Sequence, residues 1–483
     1  MSPPFWVFAG IKPNIGTNLV QKIDSEYESP VTREAGESMS LNQRASVLNA
    51  DMDPDGWHST NVAPRKSIWV AVMPATRALR HDFFRWFLLG HTISVVGTWM
   101  QTAALGWFVQ TTTRNSESGS EYWLGVTAAM NSLPVVLFSI LAGMMADRWP
   151  KRQIILWSQT GSMISAAVFG YLVMELGADL PFWSVLVFAA ANGTFLAFDI
   201  PARQAFAVEM VGKEDLLSAI AMNSAVFNAG RLLGPAFAGA AIAWVGISWC
   251  FFLNAVSFLG VIGTLLMLRP SHEHVPVVAH SGTGGIWQGF RTVLDNRKLL
   301  GLMAALALTL ITGGAYLALV PALAQNQLGL DATGYTTLMT LNGFGALFGA
   351  FLVGRAEGIN SRQPTLVYGL ATMSIALMAL GMANSLGLAG ICLFFVGMGF
   401  ILFLTSTNST IQLSVADAVR GRVMSIWVLV FGAAQPVGNY FAGHLASAVG
   451  TSRTMFVLGS GCMIAAGLVG FQLMRTKVTM PQG

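Results

Sequence analysis

Few residues in the long apolar runs of this chain can do chemistry. Arg231 lies in the run 216–245. Fifteen residues at about 1.5 Å each put it roughly 22 Å along a helix that starts at Leu216, near the centre of a bilayer. An arginine at that depth is costly unless it is paired or faces water. It therefore either lines a cavity, binding an anionic group or answering to a proton carrier, or it is tied to Asn192 or Asn228. His91 and His444 are the candidates for proton exchange, since an unperturbed histidine titrates near pH 6.5, and each equally suits a hydrogen-bonded interior position. No carboxylate is evident at the middle of a run: Glu175 and Glu209 fall at ends, and Asp199 lies near the end of the run 181–203. Trp99, Gln101, Thr102, Asn131, Asn223, Asn228, Tyr316, Asn342 and Asn408 offer a mixed polar and aromatic lining, suited to an amphipathic small molecule.

Other chemistries find no residues. There is no Gly-x-x-x-x-Gly-Lys-Ser/Thr phosphate loop, so direct ATP drive is not expected. Cys250, Cys392 and Cys462 stand singly in apolar runs, without metal-ligand or disulfide spacing. Neither a cofactor nor a catalytic residue is expected.

The elements that position these side chains follow from composition. With 54% hydrophobic and only 10% charged residues in 483, the chain lacks the charge to cover a water-soluble surface. A spanning helix needs roughly 20 apolar residues, and twelve runs qualify, at about 83–110, 122–145, 153–175, 181–203, 216–245, 247–268, 300–325, 332–354, 363–383, 387–413, 422–447 and 452–474. The expected class is an all-α polytopic membrane protein. Bases mark the loops after runs two, four, six, eight and ten, among them Arg148, Lys213, Arg297, Arg355 and Arg422, while the other side keeps Arg114 and Arg453. That asymmetry puts both termini in the cytoplasm. It also accounts for the net charge of +4 without nucleic-acid binding.

Residues 1–80 have no sustained period and read as a disordered cytoplasmic tail, with Met73 a candidate start. Two six-helix halves follow, 81–268 and 300–475, joined by a linker at 269–299; a short tail, 476–483, closes the chain. Ile286, Phe290, Val293 and Leu294 form a helical apolar stripe in the linker. The halves repeat each other, since Gly143–Arg148 has a worn counterpart in Gly349–Arg355 and Pro235 corresponds to Pro436.

Between runs two and three, Gly143, Asp147, Arg148 and Arg152 fit the pattern Gly-x-x-x-Asp-Arg/Lys-x-Gly-x-Arg/Lys-Arg/Lys, with Pro150 in place of the second glycine and Lys151 one position ahead of the paired bases. This resembles the hinge loop of the major facilitator superfamily. The resemblance implies a twelve-helix fold moving substrate by alternating access, usually as a monomer among membrane lipids. It further implies a cytoplasmic gate in which Asp199, followed by Arg203, pairs with Lys151 or Arg152, while Asp147 faces the start of run eleven near Arg422. Gly230, Gly234, Pro235 and Gly239 look like the bending motif of the superfamily's proton-coupled antiporters, although Ala236 and Phe237 replace its paired glycines; close helix crossing alone also explains them.

Three longer stretches, Gly97–Trp107, Pro201–Phe206 and Cys250–Phe258, resemble a bacterial branch that includes enterobactin-type siderophore exporters and macrolide efflux pumps. That implies proton-coupled efflux of a small amphipathic molecule, siderophore or drug-like, across the inner membrane. Uptake or uniport by the same fold, and a transport-inactive scaffold or sensor, are the alternatives.

Overall fold

The computed structural model describes residues 76–267, 286–355 and 358–478; most of the expected N-terminal tail and the first part of the linker lie outside them. The described chain is helical. After a short turn at Arg77–Arg80, the N-terminal half comprises α1 (Asp82–Thr112), α2 (Gly119–Arg148), α3 (Lys151–Leu176), α4 (Phe182–Val211), α5 (Leu216–Trp244) and α6 (Ser248–Met267). A linker helix, α7 (Ile286–Asp295), leads to α8 (Arg297–Thr312), α9 (Tyr316–Ala322), α10 (Ala332–Arg355), α11 (Gly358–Gly381), α12 (Leu386–Leu413), α13 (Asp417–Val449) and α14 (Thr451–Val478). Helices α8 and α9 form one crossing, broken at Gly313-Gly314, whose amides both turn back to the Thr309 carbonyl. It ends in a π turn at Leu323–Gln327.

Large apolar side chains cover the outside of the bundle. Leu137, Ile140, Val256 and Ile375 are all more than half exposed, which water would not tolerate over so large a surface but lipid does. Trp157, Trp183 and Trp244 project at the helix ends, as interface anchors do. Ten described crossings, with α8 and α9 counted as one, are long and apolar enough to span unaided; α1 and α13 are not among them.

The two halves repeat one plan of neighbours. In the first, α2 packs on α4, α1 on α5 and α6, and α3 on α4 and α6. In the second, α10 packs on α12, α8 on α13 and α14, and α11 on α12 and α14. The halves meet along α2 with α13 and α5 with α10, which the repeat also relates. In the linker helix Val293 is buried with Phe290 against the second half, whereas Leu294 is exposed, so only part of the apolar stripe packs on the bundle.

Helix α4 corrects the boundary expected at residue 203. It runs through Pro201 to Val211. A proline inside a membrane helix is tolerated because neighbours re-satisfy the freed backbone group, so it does not mark the end. Asp199 thus has twelve helical residues beyond it, about 18 Å, and lies within the span.

Candidate functional site

The seam between α2 and α13 opens like a V. At the end away from the hinge loop, a Cβ added at Gly125 would fall 2.6 Å from backbone atoms of Asn439 and Gly443. Midway, one added at Gly432 would meet Val136 at 3.6 Å; toward the hinge, Gly143 and Gly421 have nothing within 4 Å of that position. Amides seal the far end. Gln110, fully buried on α1, donates to Gln325 Oε1 and Asn326 Oδ1, both at 3.0 Å. Asn326 donates to Glu121 Oε1 at 2.8 Å, and Thr451 donates to the same oxygen at 3.2 Å. Trp107 stacks on Tyr335 beneath them, with ring centroids 5.5 Å apart.

Below this seal lies a cavity lined mainly by the first half, with Leu317, Ala318, Pro321, Tyr335 and Met339 from the second. It offers about 180 Å³ to the centres of water molecules, room for on the order of a dozen waters. Of the expected lining and proton-exchange candidates, His91, Trp99, Gln101, Thr102, Asn131, Asn192 and Asn223 face it, and so do Asp199 and Arg203, which were expected at the gate. Gln101 is held by the Asn254 amide at 2.8 Å, and Asn131 donates to the Ala189 carbonyl at 3.3 Å.

The charged group in its wall was not expected as a unit. Asp199 accepts from Ser158 Oγ at 3.1 Å, Gln159 Nε2 at 2.9 Å and Arg203 Nε at 3.0 Å, and Arg203 Nη2 reaches the same carboxylate. Arg203 Nη1 donates to Nδ1 of His91, with Nε2 3.2 Å away. Asp199, Arg203 and His91 are each 6% exposed. The expected pairing of Asp199 with Lys151 or Arg152 is replaced because Arg203, one turn on, reaches the carboxylate first. Lys151 pairs with Glu209 at 3.3 Å, and Arg152 donates to the Leu265 carbonyl at 2.7 Å. Both bases of the loop are thus tied into their own half, while Asp147 and Arg148 are exposed.

Arg231 adopts neither expected arrangement. It is buried at the α5–α10 seam and donates to Asn342 Oδ1 at 2.9 Å and Tyr316 Oη at 3.3 Å, both in the second half. Its guanidinium carbon sits about 6 Å from the ring centroids of Trp99 and Phe400. Asn342 also donates to Tyr316 at 2.8 Å, so three candidates form one cluster away from the cavity lining. Asn228 is spent on the Ser224 carbonyl, and Asn408 is buried on α12 against Gln412. Of the bending motif, Gly230 and Gly234 let α1 approach, a Cβ at Gly234 falling inside Trp99, and Gly239 makes room for Thr336 of α10. His444 is exposed and stacked on Tyr440.

Sequence reasoning missed Gln159 and the seal formed by Gln110, Glu121, Gln325 and Asn326. The available signal was amides lying within or ending apolar runs, but position along a run does not say which helix they face.

A family model described as transmembrane secretion effector, one of the major facilitator groups, matches residues 74–481. The chain belongs to that family, and it is a transporter, not an enzyme. The staphyloferrin A transporter of Staphylococcus aureus is 24% identical over 381 residues, 78% of this chain and 92% of that protein. The multidrug efflux pump Tap of Mycolicibacterium fortuitum is 27% identical over 372 residues, 74% and 89%. The enterobactin exporter EntS of Escherichia coli is 25% identical over 411 residues, 83% and 95%. Among solved structures, an inward-facing, unoccupied bacterial homologue of the human lysosomal transporter Spinster superposes with a TM-score of 0.63 at 15% identity, covering 80% of this chain and 96% of that one. The twelve-helix major facilitator fold is shared.

Proposed function

We propose that the chain is a secondary active exporter of the bacterial inner membrane, exchanging protons for a small amphipathic molecule of siderophore or drug-like kind. The observation that carries this reading is a mixed polar and aromatic cavity, sealed at one end while its walls part at the other. A site open to one side at a time is what alternating access requires. The bases clustered at the hinge end support a cytoplasmic placement of that end and of both termini; on that reading the described conformation is the one that loads from inside. Gly143, Asp147, Arg148, Lys151 and Arg152 then serve the cytoplasmic gate, with Asp199 and Arg203 set deeper, at the cavity wall. Siderophore and drug cargo are taken from the names of the relatives, and the unit of transport is the monomer.

Everted membrane vesicles loaded with acid, read by a pH dye, test this with enterobactin, staphyloferrin A and ethidium added in turn. Proton release on addition of one compound class, absent in Asp147→Asn and in empty membranes, is expected. Substrate movement in the uptake direction, or silence for every compound in vesicles holding folded protein, counts against it.

A further inference from the structure

We propose that His91 is the proton-binding group of the cavity and that its protonation expels a cationic cargo, so that proton and cation occupy the cavity in turn. The assignment rests on the proton-exchange reading above and adds the carrier and the charge of the cargo.

A guanidinium only donates, and Arg203 Nη1 is within hydrogen-bond reach of both ring nitrogens of His91, so the nitrogen that receives it carries a lone pair and the ring is neutral. A second proton would make both partners donors, and the contact is then lost. No other contact in the cluster is abolished by a single proton on these grounds, since a protonated Asp199 would keep an acceptor oxygen for Arg203.

The surroundings leave His91 facing this one pair. Of the elements packed on α1, α6 has no charged side chain, and α5 has only Arg231, which is held at the seam. Helix α2 keeps Glu121 in the far-end seal and Asp147 and Arg148 at its exposed end, α10 has only Arg355 at its last residue, and the turn before α1 carries Arg77 and Arg80. From α4 come Arg203 and, behind it, Asp199; Glu209 farther on is paired with Lys151 of α3. Asn223 of α5 and the ring of Phe87 complete the contacts.

With His91 neutral, the group carries no net charge, because Asp199 balances Arg203. About one or two turns toward the seal on these same helices, Trp99, Phe195 and Phe227 line the cavity, and aromatic faces suit a cation. With His91 protonated the wall carries one net positive charge in a confined space. Repulsion then weakens a bound cation by on the order of tenfold or more. An anion would respond with the opposite sign, binding together with the proton, and linkage of that sign cannot serve exchange.

Full-length protein in lipid nanodiscs, with ¹⁵N-labelled histidine, gives the test. The His91 ring signals, identified by their loss in His91→Gln, are expected to step from neutral imidazole to imidazolium as the pH is lowered. Ethidium should move that step to lower pH, and its own binding should weaken about tenfold per pH unit below the step. His91→Gln should remove the pH dependence of ethidium binding, and staphyloferrin A, a carboxylate, should not move the step downward. A ring that does not titrate, a step that ethidium leaves in place, or an ethidium pH profile unchanged in His91→Gln overturns the proposal. If the variant does not fold, the wild-type titration with and without ethidium still decides. A ring that titrates and responds to ethidium, in a protein whose transport ignores a pH gradient, would sink the exchange reading and leave this assignment standing.

Discussion

The first half of the bundle holds ionisable side chains deep in its helices: His91 on α1, Asp199 and Arg203 on α4, and Arg231 on α5. In the second half, built on the same order of neighbours, every arginine and lysine of the described helices lies within about two turns of a helix end. The second half meets these charges with neutral groups, Tyr316 and Asn342 for Arg231, and Leu317, Pro321 and Tyr335 across the cavity. The contrast shows how a duplicated scaffold divides its labour. One wall keeps the buried ionisable groups and the other supplies shape, so movement of one half against the other would change the surroundings of a single set of charges.

The sharpest way to break this contrast is to unbalance the charged wall. Arg203→Ala leaves the Asp199 carboxylate buried with only Ser158 and Gln159, and should cost about 3–5 kcal/mol. Thermal unfolding in detergent measures it, and Asp199→Asn in the same chain should restore most of the loss. Next come the seams. Gly125→Ala places a methyl against the Gly443 backbone and should cost the sealed state about 1–3 kcal/mol. Thiol labelling of a single cysteine at Thr127, which lines the cavity, should then proceed faster from the far side. Arg231→Gln removes the charged donor to Asn342 and Tyr316 and should favour far-end opening by about 1.5–3 kcal/mol in the same assay; no change would mean the seam charge has no part in closure. Glu121→Gln keeps an acceptor for Asn326 and Thr451 and should shift the seal by no more than about 0.5–1.5 kcal/mol. Gly354→Ala, in open space on the second half, should stay within about 0.5 kcal/mol of wild type in unfolding.

Much of the fold is legible in the sequence, because hydrophobic run length is a direct consequence of bilayer thickness and the hinge loop interrupts two runs with opposed charges. The site is legible only in part. His91, Trp99 and Asn131 were found because polar residues in apolar runs are conspicuous, but which neighbour each one faces depends on helix rotation, which short polar interruptions do not fix. Hence Arg231 was matched with Asn192 or Asn228 of its own half, whereas its partners come from 85 and 111 residues farther along the chain. Asp199 was placed near a helix end because the apolar run breaks at the charge of Arg203. Helix α4 instead continues to Val211 past that base, which Asp199 and His91 take up, and past Pro201, whose freed backbone group neighbouring helices can satisfy.

The shortfall of α1 in apolar length has a consequence for biogenesis. The polar residues that equip α1 for the cavity and the seal, His91, Gln101 and Gln110, also make this first described crossing a poor anchor by itself. We expect the nascent chain to hold α1 beside the translocon until α2 arrives, so that the pair enters the lipid as a hairpin. Reporter fusions after Asn115 should therefore distribute between both sides of the membrane, while fusions after Gln153 take one; a single orientation at Asn115 would show that α1 enters alone.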